Sequence, residues 1–404
     1  MNYQKIRFSA LIILVAVSGF SQGMLLPLIA IIFEQDGVSS GLNGLNATGL
    51  YLGILLISPF MEIPLQKFGY KPLIVFGGLS VIVAFLLFPV LDSFWFWFIL
   101  RMIIGIGDHT LHFTTQTWIT AFTPMNKRGR NISIYGLSFG IGFAAGPLLA
   151  NLIEINRSLP FIVASAISLV AWMTVFLLKN EYPDESIETT NVLGTLHRFK
   201  KVAKYAWVAF LPPFGYGFLE ASLNGNFPVY ALRIDMDVQQ VSIILPAFAA
   251  GSIITQIPLG ILSDSLGRKR VLQYILFGGF AIFLTASIID QSVTGLFICF
   301  FIAGMMVGST FSLGISYMTD LLPKHLLPAG NIICGIVFSL GSISGPFFGG
   351  LAIQYLPNGN FLIIISIIQL LIFIALSTFK KKSITSTIED GTSLISNYEK
   401  TNDI

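Results

Sequence analysis

Charge is scarce in this 404-residue chain: 11% of its residues are Asp, Glu, Lys or Arg, against roughly 25% in a soluble domain. Cysteine is scarcer still. Cys299 and Cys334 both lie inside apolar runs, which excludes a disulfide framework and a paired-cysteine zinc site. There is no phosphate-binding glycine loop, no HExxH pair and no nucleophile–base arrangement, so energy from ATP and hydrolytic chemistry are both disfavoured. What fills the chain instead is apolar: 54% of residues are hydrophobic and the mean hydropathy is +0.80. A soluble enzyme, a nucleic-acid binder and a disordered scaffold are poor readings of that composition.

Apolar runs of membrane-spanning length recur throughout. They cover about 8–33, 44–61, 72–91, 93–121, 131–153, 159–178, 205–228, 240–262, 271–289, 293–319, 329–354 and 360–379. The fourth holds Arg101, Asp108, His109 and His112, so hydropathy alone would undercount it. The expected fold is an all-α membrane protein of twelve transmembrane helices. With the N-terminus in the cytoplasm, all of the 23 basic residues except Arg101, Arg157 and Arg233 fall on that side. Both termini are therefore expected to be cytoplasmic. The first run is too long for a signal peptide and is expected to be retained.

The expected domains are a six-helix bundle over 1–178, a charged cytoplasmic linker over 179–204, a second bundle over 205–379 and a disordered tail over 380–404. The two bundles read as parallel repeats. Gly19 and Gly217, Gly69 and Gly267, Gly105 and Gly304, Pro124 and Pro323, and Gly142-x-x-x-Gly146-Pro147 and Gly341-x-x-x-Gly345-Pro346 are all separated by 198 or 199 positions.

Five stretches then resemble motifs of the major facilitator superfamily. Gly260-Ile-Leu-Ser-Asp264-Ser-Leu-Gly267-Arg268-Lys269 matches its G-x-L-a-D-r-x-G-r-k loop except for Ser265. The first-half copy, Glu62 to Lys71, carries Gln66 where the family has Asp. Arg101-x-x-x-Gly105-x-Gly107 is similar to the fourth-helix motif associated with proton coupling. The motifs beginning at Gly142 and Gly341 resemble the antiporter motif, which points towards the drug:proton antiporter group.

The resemblance implies a cavity lined by spans 1, 4, 7 and 10, and alternating access between the halves. Intramembrane charges are functional candidates because they are costly unless paired or wet. Arg101, Asp108 and His112 share a helical stripe with Gly105, with His109 about a quarter-turn away. Asp108, its histidines or Glu220 are expected to carry protons, and the alternative is a static Arg–Asp–His network that fixes the helix. Gln22, Asn224 and Asn226 are candidate cavity groups, and Phe20, Phe113, Phe214 and Phe218 are candidate contacts for a lipophilic substrate.

Gly142, Gly146, Pro147, Gly341, Gly345 and Pro346 are expected on helix interfaces along which the halves slide, or in ordinary tight packing. Gly260, Asp264, Gly267, Arg268 and Lys269 form a gating loop. Its Asp264 is expected to latch onto the start of the fifth span near Arg128, Arg130 and Asn131. The function expected is proton-coupled efflux of a small lipophilic or cationic compound. The alternative is a symporter or uniporter for a defined metabolite. No cofactor, metal or nucleic acid is expected. The expected partners are the substrate, protons and the lipid bilayer, with the chain acting as a monomer in a bacterial cell membrane.

Overall fold

The computed structural model describes residues 3–183, 192–323, 326–356 and 360–379. The expected tail, 380–404, lies outside these residues, as does part of the linker. Among the described residues there is no strand. The first half contains α1 (Tyr3–Gln35), α2 (Ser40–Ile57), the short α3 (Glu62–Phe68), α4 (Tyr70–Leu87), α5 (Phe94–Phe122), α6 (Met125–Ala145) and α7 (Leu159–Met173). The second contains α8 (Val192–Arg233), α9 (Val238–Leu266), α10 (Arg268–Ile288), α11 (Val293–Val307), α12 (Thr310–Leu321), α13 (Leu327–Tyr355) and α14 (Leu362–Thr378).

Nine helical stretches among the described residues are long and apolar enough to cross a membrane, and α14 is apolar but shorter. Neither α5 nor α8 is in that set. The first carries Arg101 and Asp108, and the second begins in the basic cluster of the linker and carries Glu220. The helix of α8 starts at Val192, earlier than the apolar run, and is kinked at Ala206. After Ala145 the chain continues as a 3-10 helix, Gly146–Glu154, with Pro147 in its first turn.

Local chemistry fixes several helix ends. Asp237 and Gln240 form a reciprocal capping box that starts α9, with Gln240 N donating to Asp237 Oδ1 at 2.7 Å. Gly69 and Gly267, at φ +79° and +92°, take backbone angles costly for any residue with a Cβ. Lys71 and Lys269 follow them. Lys71 Nζ donates to Leu178 O at 2.7 Å, and Lys269 Nζ to Phe379 O at 2.8 Å. Each cation thus meets carbonyls at the end of the last helix of its own half.

The duplication read from the glycines extends to their partners. A Cβ on Gly142 would collide with Ala16 O, and one on Gly341 with Phe214 O. Gly19 and Gly217 face Phe139 O and Phe338 O; Gly105 and Gly304 face Leu50 O and Phe248 O. Each second contact is the first displaced by the repeat offset. The glycine contacts of Gly142 and Gly146 are therefore with α1 and those of Gly341 and Gly345 with α8, so they join helices of the same half. The four glycines let two backbones approach inside each bundle, so it is other residues of the same spans that meet the opposite half. Cross-half contact comes from the neighbouring prolines. Pro346 meets Gly44 of α2, and Pro147 lines the space facing the second half.

The halves join at one end only. There, Ala30 belongs to the apolar core built mainly from the second half, and Ala221 and Val238 belong to that of the first. At the opposite end each core draws on one half alone. Gly41, Gly44 and Gly350 are pressed against Gln354, Pro346 and Ser40, while Gly136, Gly260 and Gly335 have open space in front of them. At the closed end Arg233 Nε donates to Glu34 Oε1 across the halves at 2.7 Å. The open end is the one bearing Lys71 and Lys269.

Candidate functional site

Between the halves, opening towards the Lys71–Lys269 end, lies a cavity of about 190 Å³. The first half contributes Phe139, Gly140, Phe143 and Pro147 from α6 and the segment that continues it. The second contributes Tyr216, Glu220 and Asn224 from α8, Phe248, Ser252 and Gln256 from α9, and Phe311 and Ser312 from α12. Glu220 is the only carboxylate in this lining, set among aromatic rings. Asn224, one turn further on, donates through Nδ2 to Glu220 O at 2.8 Å. Such a space can hold a compact molecule with an apolar body and one cationic or hydrogen-bonding group.

A second polar centre sits in the first half, behind the α6 wall. Asp108 of α5 is buried and accepts a hydrogen bond on each carboxylate oxygen, from Ser18 Oγ on Oδ1 and from Gln22 Nε2 on Oδ2. His112 Nε2 is 2.8 Å from Ser18 Oγ and 3.9 Å from Asp108 Oδ2. Its other nitrogen, Nδ1, is 2.6 Å from the Tyr135 hydroxyl of α6. Phe139, which lines the cavity, packs edge-on against the His112 ring at 4.9 Å. Three helices thus meet at the Asp108–His112 pair: α1 reaches Asp108 because Ser18 and Gln22 stand one turn apart on one face, and α6 reaches His112 through Tyr135.

Among the expected site residues, Asp108, His112 and Gln22 are brought together, and Glu220 and Asn224 line the cavity. Arg101 does not join Asp108. Its guanidinium is fully buried beside Tyr51 of α2, and none of its nitrogens has a hydrogen-bond partner among the described residues. Tyr51 in turn lies within electrostatic reach of Glu220. His109 points to Ser58 of the 3-10 turn after α2, its Nε2 3.0 Å from Ser58 Oγ. The expected stripe on α5 is therefore split, with Arg101, Gly105 and His109 turned to the second span and Asp108 and His112 to α1.

Asn226 does not line the cavity; it is buried against α13 and donates to Gly345 O at 3.3 Å. None of Phe20, Phe113, Phe214 and Phe218 lines it either, and Phe139, Phe143, Phe248 and Phe311 take that place. In the stretch expected to form a gating loop, Asp264 pairs with Arg268 of its own half at 3.5 Å. Arg268 also donates to Ser316 O at 2.7 Å and to Asp320 Oδ1 at 2.8 Å. The side chains of Arg128 and Arg130, the expected partners of Asp264, lie outside the described residues. Asn131 donates to Thr123 Oγ1 at 3.0 Å.

Sequence reasoning missed Ser18, Tyr135, Tyr51, Tyr216 and Gln256. The spacing of Ser18 and Gln22 in an apolar helix was the one available signal for the first.

The sequence profile of the Major Facilitator Superfamily matches residues 11–237 and 209–396. The chain belongs to this superfamily. An uncharacterised MFS-type transporter, YfkF of Bacillus subtilis, is 57% identical over 94% of this chain and 97% of its own. Multidrug resistance protein 2 of Bacillus subtilis is 23% identical over 87% of this chain and 90% of its own. Among solved structures, the nucleoside transporter NupG superposes with a TM-score of 0.78 at 15% identity, covering 94% of this chain and all of that one. A bacterial homologue of the human lysosomal transporter Spinster, inward-facing and unoccupied, gives 0.73 at 15% identity over 94% of this chain and 98% of that one. The protein is thus a multi-pass plasma-membrane transporter and not an enzyme.

Proposed function

We propose that the transporter exports a small lipophilic or cationic compound in exchange for protons, by alternating access. On this reading twelve spans form two six-span halves over 1–178 and 205–379, joined by the 179–204 linker. Both termini are cytoplasmic, and the cavity opens to the cytoplasm. The observation that carries the reading is the single carboxylate, Glu220, in an aromatic cavity between the halves. Asp108 and His112, one aromatic layer away behind Phe139, are the proton-coupling groups. A proton and a substrate that favour opposite states shift the equilibrium through their differential affinities. The similarity to multidrug resistance proteins agrees with this direction. The second reading, symport or facilitated passage of a polar metabolite, is favoured by the Asn224, Ser252, Gln256 and Ser312 lining.

The test is accumulation of ethidium, a lipophilic cation, in cells expressing the wild type, Asp108→Asn or Glu220→Gln. Expression of the wild type lowers accumulation, and a protonophore abolishes the effect. Asp108→Asn removes the proton dependence, and Glu220→Gln removes recognition of the cation. Accumulation that rises with expression overturns export, and proton-linked movement surviving in both variants overturns the coupling assignment.

A further inference from the structure

We propose that Ser18 and Tyr135 complete a hydrogen-bonded relay that delivers protons to Asp108. This rests on the reading of Asp108 as the coupling group. The gap between His112 Nε2 and Asp108 Oδ2 is 3.9 Å, too long for a direct hydrogen bond. Ser18 Oγ closes it, 2.8 Å from Nε2 and hydrogen-bonded to Asp108 Oδ1. The carboxylate accepts on both oxygens, so the Ser18 hydroxyl donates to Oδ1 and its oxygen receives from Nε2–H. That polarity requires the histidine tautomer with its proton on Nε2. With the proton on Nε2, Nδ1 is an acceptor, and the Tyr135 hydroxyl, 2.6 Å from Nδ1 and 3.3 Å from His112 O, is placed to donate to it.

The step then balances. A proton arriving on the Tyr135 oxygen sends that oxygen's own proton to His112 Nδ1. The Nε2 proton passes to Ser18 Oγ, and the Ser18 proton passes to Asp108 Oδ1. One proton enters, Asp108 becomes neutral, and Tyr135 and Ser18 keep one proton each, while His112 now carries its proton on Nδ1. His112, with a fifth of its side chain exposed, is the most accessible member of the chain; Tyr135 is buried beside it and Asp108 is nearly sealed.

The branch point is Tyr135, whose hydroxyl also reaches His112 O at 3.3 Å and meets the Thr115 side chain. His109 is engaged with Ser58, and Arg101 is beside Tyr51. Among the described side chains of α6, Tyr135 is the titratable one facing the Asp108–His112 pair. Of its two other neighbours, α1 presents Ser18 and Gln22, and α4 meets α5 with Gly77, Ser80 and Val81 at Gly107. Ser18 and Tyr135 are positioning residues in this scheme, since both act through His112 and Asp108.

The experiment follows the infrared C=O stretch of protonated carboxyl groups after a downward pH jump on the full chain in liposomes, without substrate. Asp108→Asn identifies the Asp108 band, and Glu220→Gln removes the cavity carboxyl. Ser18→Ala is expected to slow growth of the Asp108 band by about tenfold or more, with its final amplitude retained. Ser18→Thr, which keeps the hydroxyl, restores the rate, and Tyr135→Phe slows it independently. Wild-type rates in both Ser18→Ala and Tyr135→Phe overturn the relay and leave the coupling role of Asp108 standing. If Asp108→Asn removes no band, the coupling assignment itself fails and the relay falls with it.

Discussion

An arginine guanidinium carries five N–H donors and stays charged at any pH a cell meets. Arg101 holds that group with no exposed surface and no hydrogen bond to its three nitrogens among the described residues. Its electrostatic neighbour, Tyr51, also feels Glu220 of the other half. A group in that position adds little to the stability of this state, because its desolvation is not offset by a partner. Arg101→Met, which keeps the length and removes the charge, is therefore expected to leave the melting temperature of the detergent-solubilised protein unchanged or raised. The gain would be on the order of 1 kcal/mol, while transport is lost. A fall of several degrees would mean that the charge is held by a structural partner, and would sink this reading. The scarcity of intramembrane charge made Arg101, Asp108 and Glu220 legible in the sequence. Ser18 and Tyr135 were not, because one hydroxyl in an apolar helix is common, and theirs acquire meaning only where α1, α5 and α6 meet at the Asp108–His112 pair.

At the scale of the helix, glycine spacing and its repetition were legible, since a fixed offset needs no knowledge of neighbours. Which helix each glycine meets was not, because a face is a property of one helix and a contact is a property of two. Gly142 against Ala16 O and Gly341 against Phe214 O place these two seams inside the halves, whereas Gly44 against Pro346 O is a seam between them. The same geometry separates glycines by consequence. Gly142→Ala puts a methyl group into a backbone carbonyl and is expected to cost about 1–3 kcal/mol through overpacking. Gly136→Ala, on the same helix with open space in front of it, is expected to stabilise α6 by up to about 1 kcal/mol through helix propensity. Paired thermal melts of the two variants in detergent check this. Equal effects, or a destabilising Gly136→Ala, would contradict the packing described. The start of α8 at Val192 has a related explanation: hydropathy marks where a helix is apolar, whereas the basic cluster before it forms its own helical segment, set off by the kink at Ala206 beside the start of the apolar run.

For the molecule as a whole, two repeats related by a rotation bring equivalent residues into contact only near the rotation axis. Glu34 and Arg233 are 199 positions apart, the offset of the repeat itself, and they pair with each other. The pair therefore lies near the axis at the closed end, and it carries opposite charges where the duplication would by default place like ones. Pulling the halves apart at that end must break it, whereas rocking within either half leaves it intact. It is partly exposed, with Arg233 at 38% and Glu34 at 15%, so its worth is about 0.2–1 kcal/mol, equivalent to a population shift of up to roughly fivefold. Arg233→Ala is expected to move the population away from the closed-end state by that factor, and Arg233→Glu further, through repulsion. The double exchange Glu34→Arg with Arg233→Glu should return it. Spin labels at Ile155→Cys and Tyr355→Cys, both exposed and one in each half at this end, read the separation by pulsed electron resonance. The shift should shrink in high salt, where an exposed pair is screened. A distance distribution that Arg233→Glu leaves unchanged would mean that apolar contact between Ala30, Ala221 and their neighbours holds this end shut without the ion pair.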